Sequence, residues 1–410
     1  MRIRLQPVAI ARRTHATRQR SAALPLVLFV ATLCACRETA APQPYTYAVP
    51  PQDGDGWVTA APGDVGMDQA PLVALMNELR SRDHGLNGIL VARHGRLVFE
   101  EYFPGQQVDL EAEDPRPRVD VAFDRSTPHY MASASKSVTS ALVGIAIDRG
   151  LITGVGAKLF SFFPDYADLN DTQKSGITLA HLLTMRSGWS WSDDDIDADQ
   201  SDEVQMFFSQ DPLRFLLERP LARPPDTHMD YNSGNTVLLG EIVRRTSGMD
   251  LHAFARQYLF GPLGIDTSRW AHCRNAAAVA FAGGGLYMRP RDMAKIGQLY
   301  LHDGVWNGNV VISQQWVRQS VQNAFVSWDQ FSDHYMHTGY GYQWWPGRWD
   351  SGATTFLAAG WGGQFIMVVP SLDLVIVITG DYYDVNSMEG PVGAGIFDDI
   401  LHDHILAAVR

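Results

Sequence analysis

Gly88-Ile-Leu-Val-Ala-Arg-His-Gly-Arg-Leu-Val-Phe-Glu-Glu-Tyr102 contains two apolar runs, Gly88–Arg93 and Arg96–Tyr102, split by His94-Gly95. A two-residue connection ending in glycine closes an antiparallel hairpin. Strand character returns only near the other end of the chain, in Gln364–Val369 and Leu374–Ile378, separated by Pro370-Ser-Leu-Asp373. The span from about residue 130 to 320 reads mainly helical, with Gly150, Gly188, Gly248 and Gly264 at good places for helix ends. Amphipathic helices flank the strands. One carries Leu72, Leu75, Met76 and Leu79 after Asp68 and Pro71; the last uses Ile396, Phe397, Ile400, Leu401 and Ile405. The pattern implies an α/β fold of the α+β kind: an antiparallel sheet built from both chain ends, flanked by helices, with an inserted, mostly helical subdomain. The sheet part is expected at 57–125 and 335–410 and the helical part at 126–334. A cleft between them is the natural place for a site.

The chain has 410 residues, 46% hydrophobic and 19% charged, enough apolar content for a well-buried core. Its net charge of −12 argues against nucleic acid as a partner, and three cysteines exclude a disulfide scaffold. The charge is uneven. Residues 1–36 hold six arginines and no acid, followed within that segment by the apolar run Ala22–Leu33 and Cys34-Ala35-Cys36. A run this short reads as an export signal rather than a membrane span. Leu33-Cys34-Ala35-Cys36 resembles a bacterial lipobox, which implies lipidation at Cys36 and a signal peptide over 1–36. Arg37 follows in place of the Asp that retains such proteins at the inner membrane, so the expected location is the outer membrane, facing the periplasm. Pro42, Pro44, Pro50 and Pro51 make 37–56 a proline-rich tether ahead of a domain over 57–410. Cys273 reads as a small buried hydrophobe.

Several chemistries have no anchor here. There is no Gly-x-Ser-x-Gly elbow, no His-Glu-x-x-His and no glycine-rich phosphate loop. His402 and His404 sit in the terminal helix pattern, and no metal or cofactor is expected. The acids from Asp193 to Glu203 lack the glycine and glutamate of a calcium loop and read as a solvated loop that could overhang a cleft. What remains is Met131-Ala-Ser-Ala-Ser-Lys-Ser-Val-Thr-Ser140. Ser133 and Lys136 are three apart, one turn along the same helix face. A serine at a helix start has an unpaired backbone N–H to offer a substrate carbonyl, and a lysine beside it can hold or take the proton that the serine loses. Val138, Ala141, Leu142 and Ile145 would form the buried stripe of this helix.

With this motif go Ile177–Gly188, Asp230-Tyr-Asn-Ser-Gly234, Gly283–Asp292 and Ala358-Ala-Gly-Trp-Gly-Gly-Gln-Phe365. In order and spacing the chain from about Trp57 onward resembles the serine β-lactamase and penicillin-binding superfamily. Within it, the class C-type branch with esterases and 6-aminohexanoate-dimer hydrolases is the nearer likeness. The resemblance implies Ser133 as nucleophile, Lys136 and Tyr231 as its proton-transfer partners, and an oxyanion hole from the backbone N–H groups of Ser133 and Trp361. A phenolate at Tyr231 would need the neighbouring ammonium. Ser233, Ala358, Gly360 and Trp189 are candidate substrate-site residues. Trp189, Trp191, Trp344 and Trp345 either line an acyl pocket or pack in the core. Two departures stand out. Ala358 has no cation where the family binds a carboxylate, and Ser233 stands where β-lactamases have an Asn amide. Both point to esters or linear amides as the small-molecule substrate, rather than β-lactams. The alternative is a lipid-anchored penicillin-binding or sensor-type protein with little turnover.

Overall fold

Arg93 pairs with Arg96 across His94 (φ 52°) and Gly95 (φ 67°), so the hairpin closes through a turn whose two central residues are both left-handed. The computed structural model describes residues 43–82, 84–112, 118–193, 201–322, 324–383 and 395–410. The signal segment and Cys36 lie outside the described residues. No described helix is long and apolar enough to cross a membrane.

The hairpin strands β2 (Leu86–Arg93) and β3 (Arg96–Tyr102) join β1 (Val58–Thr59), which runs parallel to β3, in a nine-stranded sheet. The C-terminal part supplies β4 (Phe325–Gln330), β5 (Tyr335–Tyr340), β6 (Trp345–Trp349), β7 (Thr354–Gly360), β8 (Gln364–Val369) and β9 (Leu374–Gly380). The order is β1-β3-β2-β9-β8-β7-β6-β5-β4, antiparallel beyond the first pair. Ile376 on β9 faces Val91 on β2, so the two ends of the chain meet inside the sheet.

These central strands are apolar at nearly every position because both faces are covered. Leu90, Ala92, Ile366, Val368, Val375 and Val377 belong to one core, shared with the helical middle. Their alternates Ile89, Val91, Met367, Ile376 and Ile378 belong to a second core. That core is closed by the terminal helices α1 (Gln69–Leu79), capped by Asp68, and Ile396–Leu406, which is wound as a π-helix.

The helical middle contributes α2 (Ser135–Asp148), α3 (Ser233–Ser247) and α4 (Pro290–Leu301), which precede the terminal helix α5 (Ile396–Leu406). Helix α4 lies against β8 and β9. Gly297 permits this, since a Cβ there would stand 2.6 Å from Val375 and 3.0 Å from Ile366. Helix α2 packs on α3 and is buried from Ser135 to Ala146, not along a single stripe. Its small polar side chains bond to the surrounding backbone: Ser137 donates to Gln343 O and Thr139 to Ala282 O.

Two expectations change. The stretch 126–334 also holds short ladders, including His129–Tyr130 and Arg269–Trp270 on either side of Leu286–Met288. Strands of two or three residues are too short to leave a period-2 signal. The tether also ends earlier than residue 56. Tyr45 is buried, its N–H donating to Asn77 Oδ1 (2.7 Å) and its hydroxyl to Glu101, while Tyr47 donates to Val98 O (2.7 Å). Arg291 binds Pro51 O and the Asp55 carboxylate. Proline excludes regular structure from this segment but not docking through its tyrosines and carbonyls.

Candidate active site

Tyr130, paired with Tyr287, leads through Met131 into a single tight turn, Ala132–Ala134, from which α2 continues. Ala132 has φ +46°, a conformation that costs an L-residue free energy and tends to collect at functional sites. The turn is fixed from both sides. Ser135 Oγ donates to Ala132 O at 2.6 Å and accepts from Leu286 N at 3.2 Å. Ser133 is left half-buried while its neighbours are enclosed.

One turn on, Lys136 is fully buried, and its Nζ donates to Ser133 Oγ and to Gly283 O, both at 2.8 Å. The spacing read from the sequence is therefore a direct hydrogen bond. Nζ also stands 4.8 Å from the centroid of the Tyr231 ring. Tyr231 precedes α3, whose N-cap is Asn232, its side chain accepting from Asn235 N at 3.1 Å. The Tyr231 ring is stacked with Trp345 (5.9 Å, 24°) and edge-on to Tyr340 (6.2 Å, 83°). Ser133, Lys136 and Tyr231 thus come together from the turn and first residues of α2 and the segment that leads into α3.

The end of β7 closes the other side. A Cβ on Gly360 would lie 2.3 Å from Met131 O and 3.1 Å from Ser133 N, so only glycine lets this strand rest on the Ala132–Ala134 turn. Trp361 follows at once in the β7–β8 turn, with its ring against Tyr383 (4.8 Å). Ala358, two residues earlier on the same face, is fully buried in the core and presents no surface to a ligand.

Ser233 is placed differently from expectation. Its N–H (3.0 Å) and its hydroxyl (2.8 Å) both donate to Asp193 Oδ2, while Trp191 Nε1 donates to Asp193 Oδ1 at 2.5 Å. The hydroxyl is engaged by the first acid of the acidic loop instead of facing a substrate. The remaining loop residues, 194–200, lie outside the described residues. Among the tryptophans, Trp189 and Trp344 pack in the core, so Trp189 is not a substrate contact. Trp345 and Trp191 flank Tyr231 and Asp193.

The charges in this cluster oppose one another. Burial pulls the Lys136 ammonium down, but Tyr231, Asp193 and Glu203 outweigh it, and its pKa is raised. Burial lifts the Tyr231 phenol above 10; Lys136 and a hydrogen bond with Ser133 pull it back, Asp193 adds to the rise, and the net direction is up. Asp193 is raised to about 7, chiefly by burial and then by Glu203, with Lys136 and the bonds from Trp191 and Ser233 opposing. At neutral pH the resting pair is therefore an ammonium and a neutral phenol. The neighbouring ammonium lowers the phenol but does not outweigh its burial. Cys273 is buried and its thiol pushed up to about 12, which removes it as a nucleophile.

The sequence offers Asp193 only as part of an acidic loop and Gly283 only as the start of a family-like run, and it gives no sign of Gln343. Gln343, at φ +65°, accepts from Thr236 through Oε1 and from Ser137 through its carbonyl, and donates through Nε2 to Leu182 O and Leu183 O. It ties α2, α3 and the segment before β6 together behind the site. A glutamine in a loop carries no local signal of that role.

The chain is similar to proteins already known. Residues 73–384 match the family described as Beta-lactamase. Over 273 residues the chain is 26% identical to 6-aminohexanoate-dimer hydrolase of Paenarthrobacter ureafaciens, covering 62% of this chain and 67% of that one. Penicillin-binding protein 4 of Amycolatopsis lactamdurans is 24% identical over 323 residues, 71% and 80% of the two chains. Among solved structures, a protein from Bacillus anthracis described as a 6-aminohexanoate-dimer hydrolase superposes with TM-score 0.62 at 21% identity, covering 81% of this chain and 82% of its own. A class C beta lactamase from Rhodobacter sphaeroides gives 0.57 at 18% identity, with 84% and 100% covered. At these identities the structural likeness establishes the fold.

Proposed function

The chain belongs to the beta-lactamase family, a family of serine hydrolases, and from that footing we propose that it cleaves an ester or a linear amide through an acyl-enzyme on Ser133. The observation that carries this reading is the hydrogen bond from Lys136 Nζ to Ser133 Oγ beside Tyr231. Ser133 Oγ bonds to the substrate carbonyl carbon as its proton passes to the Lys136–Tyr231 pair, which must first have lost one proton to solvent. The pair then delivers that proton to the departing alcohol or amine as the scissile bond breaks. Water repeats the sequence in reverse to release the acid. The N–H groups of Ser133 and Trp361 would receive the developing oxyanion, where each donor is worth roughly 2.7–4 kcal/mol.

Substrate class follows from charge. Ala358 offers no cation, and Asp193, bonded to Ser233, brings an acid close to Lys136, which supports neutral or cationic esters and linear amides over the carboxylate-bearing β-lactams. The likeness to 6-aminohexanoate-dimer hydrolase supports the linear-amide side. A fluorophosphonate probe should label Ser133, and the Ser133→Ala variant should not react; equal labelling of that variant would overturn the assignment.

The likeness to penicillin-binding protein 4 supports a second reading, a protein that acylates and turns over little. With a p-nitrophenyl ester, a one-equivalent burst without turnover would identify it, and steady release excludes it. We also infer export and attachment through a lipid on Cys36, on the strength of the basic, apolar and cysteine segments. Radiolabelled palmitate should enter the chain and be lost in Cys36→Ala.

A further inference from the structure

On the sheet face away from Ser133, three segments bring metal-ligating side chains together. His334 lies just before β5, Asp350 just after β6, and His402 on α5. Because Tyr335 and Trp349 are partners in the β5–β6 ladder, His334 and Asp350 are held opposite each other, with Asp350 N donating to His334 O at 2.9 Å. The Asp350 carboxylate reaches both histidines, one oxygen 2.7 Å from His334 Nδ1 and the other 3.9 Å from His402 Nε2. The two imidazoles face each other, 3.8 Å apart and within 7° of parallel. One donor atom from each of the three residues lies within 4.8 Å of the others.

The surroundings look built. Asp403 Oδ1 lies 2.8 Å from His402 Nδ1, the carboxylate–histidine pairing that orients an imidazole and leaves its Nε2 for a cation. Asp398 accepts from Asp333 N (3.1 Å) and His334 N (3.2 Å), fixing the loop that carries His334. Trp349 lies beneath His402, tilted by 26°. The sequence pair His402 and His404 is split by the fold, since His404 turns away to Glu78 (3.2 Å).

We propose that His334, Asp350 and His402 form a binding site for a divalent ion of the zinc type, which staples α5 to the ends of β5 and β6. Two imidazoles and one carboxylate suit such an ion and not calcium or magnesium, which take oxygen sets. The three side chains are each about a third to a half exposed, so water can supply a fourth ligand. Tetrahedral zinc at ~2.1 Å bonds places its ligand atoms roughly 3.4 Å apart. Closing from the present spacing requires the two rings to tilt out of their stack so that their nitrogens converge.

The test uses the full chain, purified metal-free and without a histidine tag, titrated with ZnCl2 by calorimetry and followed by thermal unfolding. One saturable zinc per chain and a zinc-dependent rise in the unfolding midpoint are expected, with calcium giving neither. His334→Ala/His402→Ala should abolish the zinc-dependent rise, whatever its own midpoint without metal. Asp403→Asn, which keeps all three ligands, should weaken zinc about 10–100-fold. Absence of saturable zinc binding, equal binding in the double variant, or an equal response to calcium would overturn the assignment.

Discussion

Lys136 Nζ donates to Ser133 Oγ at 2.8 Å from one helical turn away, and a second bond of the same length, to Gly283 O, prevents the ammonium from turning elsewhere. The lysine is thereby a strut as well as a neighbour of the serine. Its head joins α2 to the Gly283 loop, and that loop sits on Ser233, where a Cβ at Gly283 would come within 2.9 Å of Ser233 O.

Lys136→Ala should lower kcat/KM for a p-nitrophenyl ester by ~10³-fold or more, since the serine loses the group that manages its proton. Stability should change modestly. Gly283 O loses its partner at a cost of roughly 1–3 kcal/mol, while a buried charge disappears. Lys136→Arg should not rescue activity, because a planar guanidinium cannot replace a compact head between two acceptors. Kinetics with circular dichroism checks this, and a folded Lys136→Ala enzyme with intact turnover refutes the proton scheme.

Gly360→Ala addresses the oxyanion side. The added methyl would meet Met131 O at 2.3 Å and Ser133 N at 3.1 Å, both backbone atoms that move only with the turn. Overpacking of this kind costs about 1–3 kcal/mol, and a displaced donor costs ~10²–10³-fold in kcat. The expected signature is a fall in kcat larger than any change in KM, with the chain still folded at 25 °C. A purely thermal effect, with kcat preserved, would place the oxyanion donors elsewhere.

How far the sequence could be read depended on whether a feature is local. The β2–β3 hairpin, α1 with its Asp68 cap and the β8 and β9 runs are written in neighbouring residues, and all appear as read. Ser133 and Lys136 were visible because a helix turn converts spacing into contact. The Asp193–Ser233 bond spans 40 residues and the Ser137–Gln343 bond 206, distances at which a single sequence carries no pairing signal. Trp189 and Trp345 look alike as letters. Only packing sends one to the core and the other to the ring of Tyr231.

Cys273 provides a check on enclosure. It is buried, and its thiol is pushed up to about 12, chiefly by that burial. Iodoacetamide at pH 7.5 should leave it unmodified in the folded chain and alkylate it fully in guanidinium chloride, read by mass at the Cys273 peptide. Rapid native labelling would mean that the region opens far more readily than its packing indicates.

Asp193→Asn separates the electrostatic role of the acidic loop from its structural one. Asn keeps an acceptor for the two bonds from Ser233 and gives up the one from Trp191. The Asp193 charge holds up the pKa of both Lys136 and Tyr231, so its removal lets the pair lose its first proton at lower pH. The alkaline-rising limb of kcat/KM should therefore move down by roughly 1 pH unit. Stability has its own sign. Asp193 is raised from 3.8 to about 7 on folding, so its contribution is full below pH 3.8 and is lost as pH rises toward 7. Asn carries no such penalty, and the variant should gain on the parent between pH 4 and pH 7, with the difference level above that window. Unfolding midpoints and pH–rate profiles on the same preparations measure both. A limb that stays in place while the stability difference grows would show that the carboxylate burdens the fold without tuning the catalytic pair.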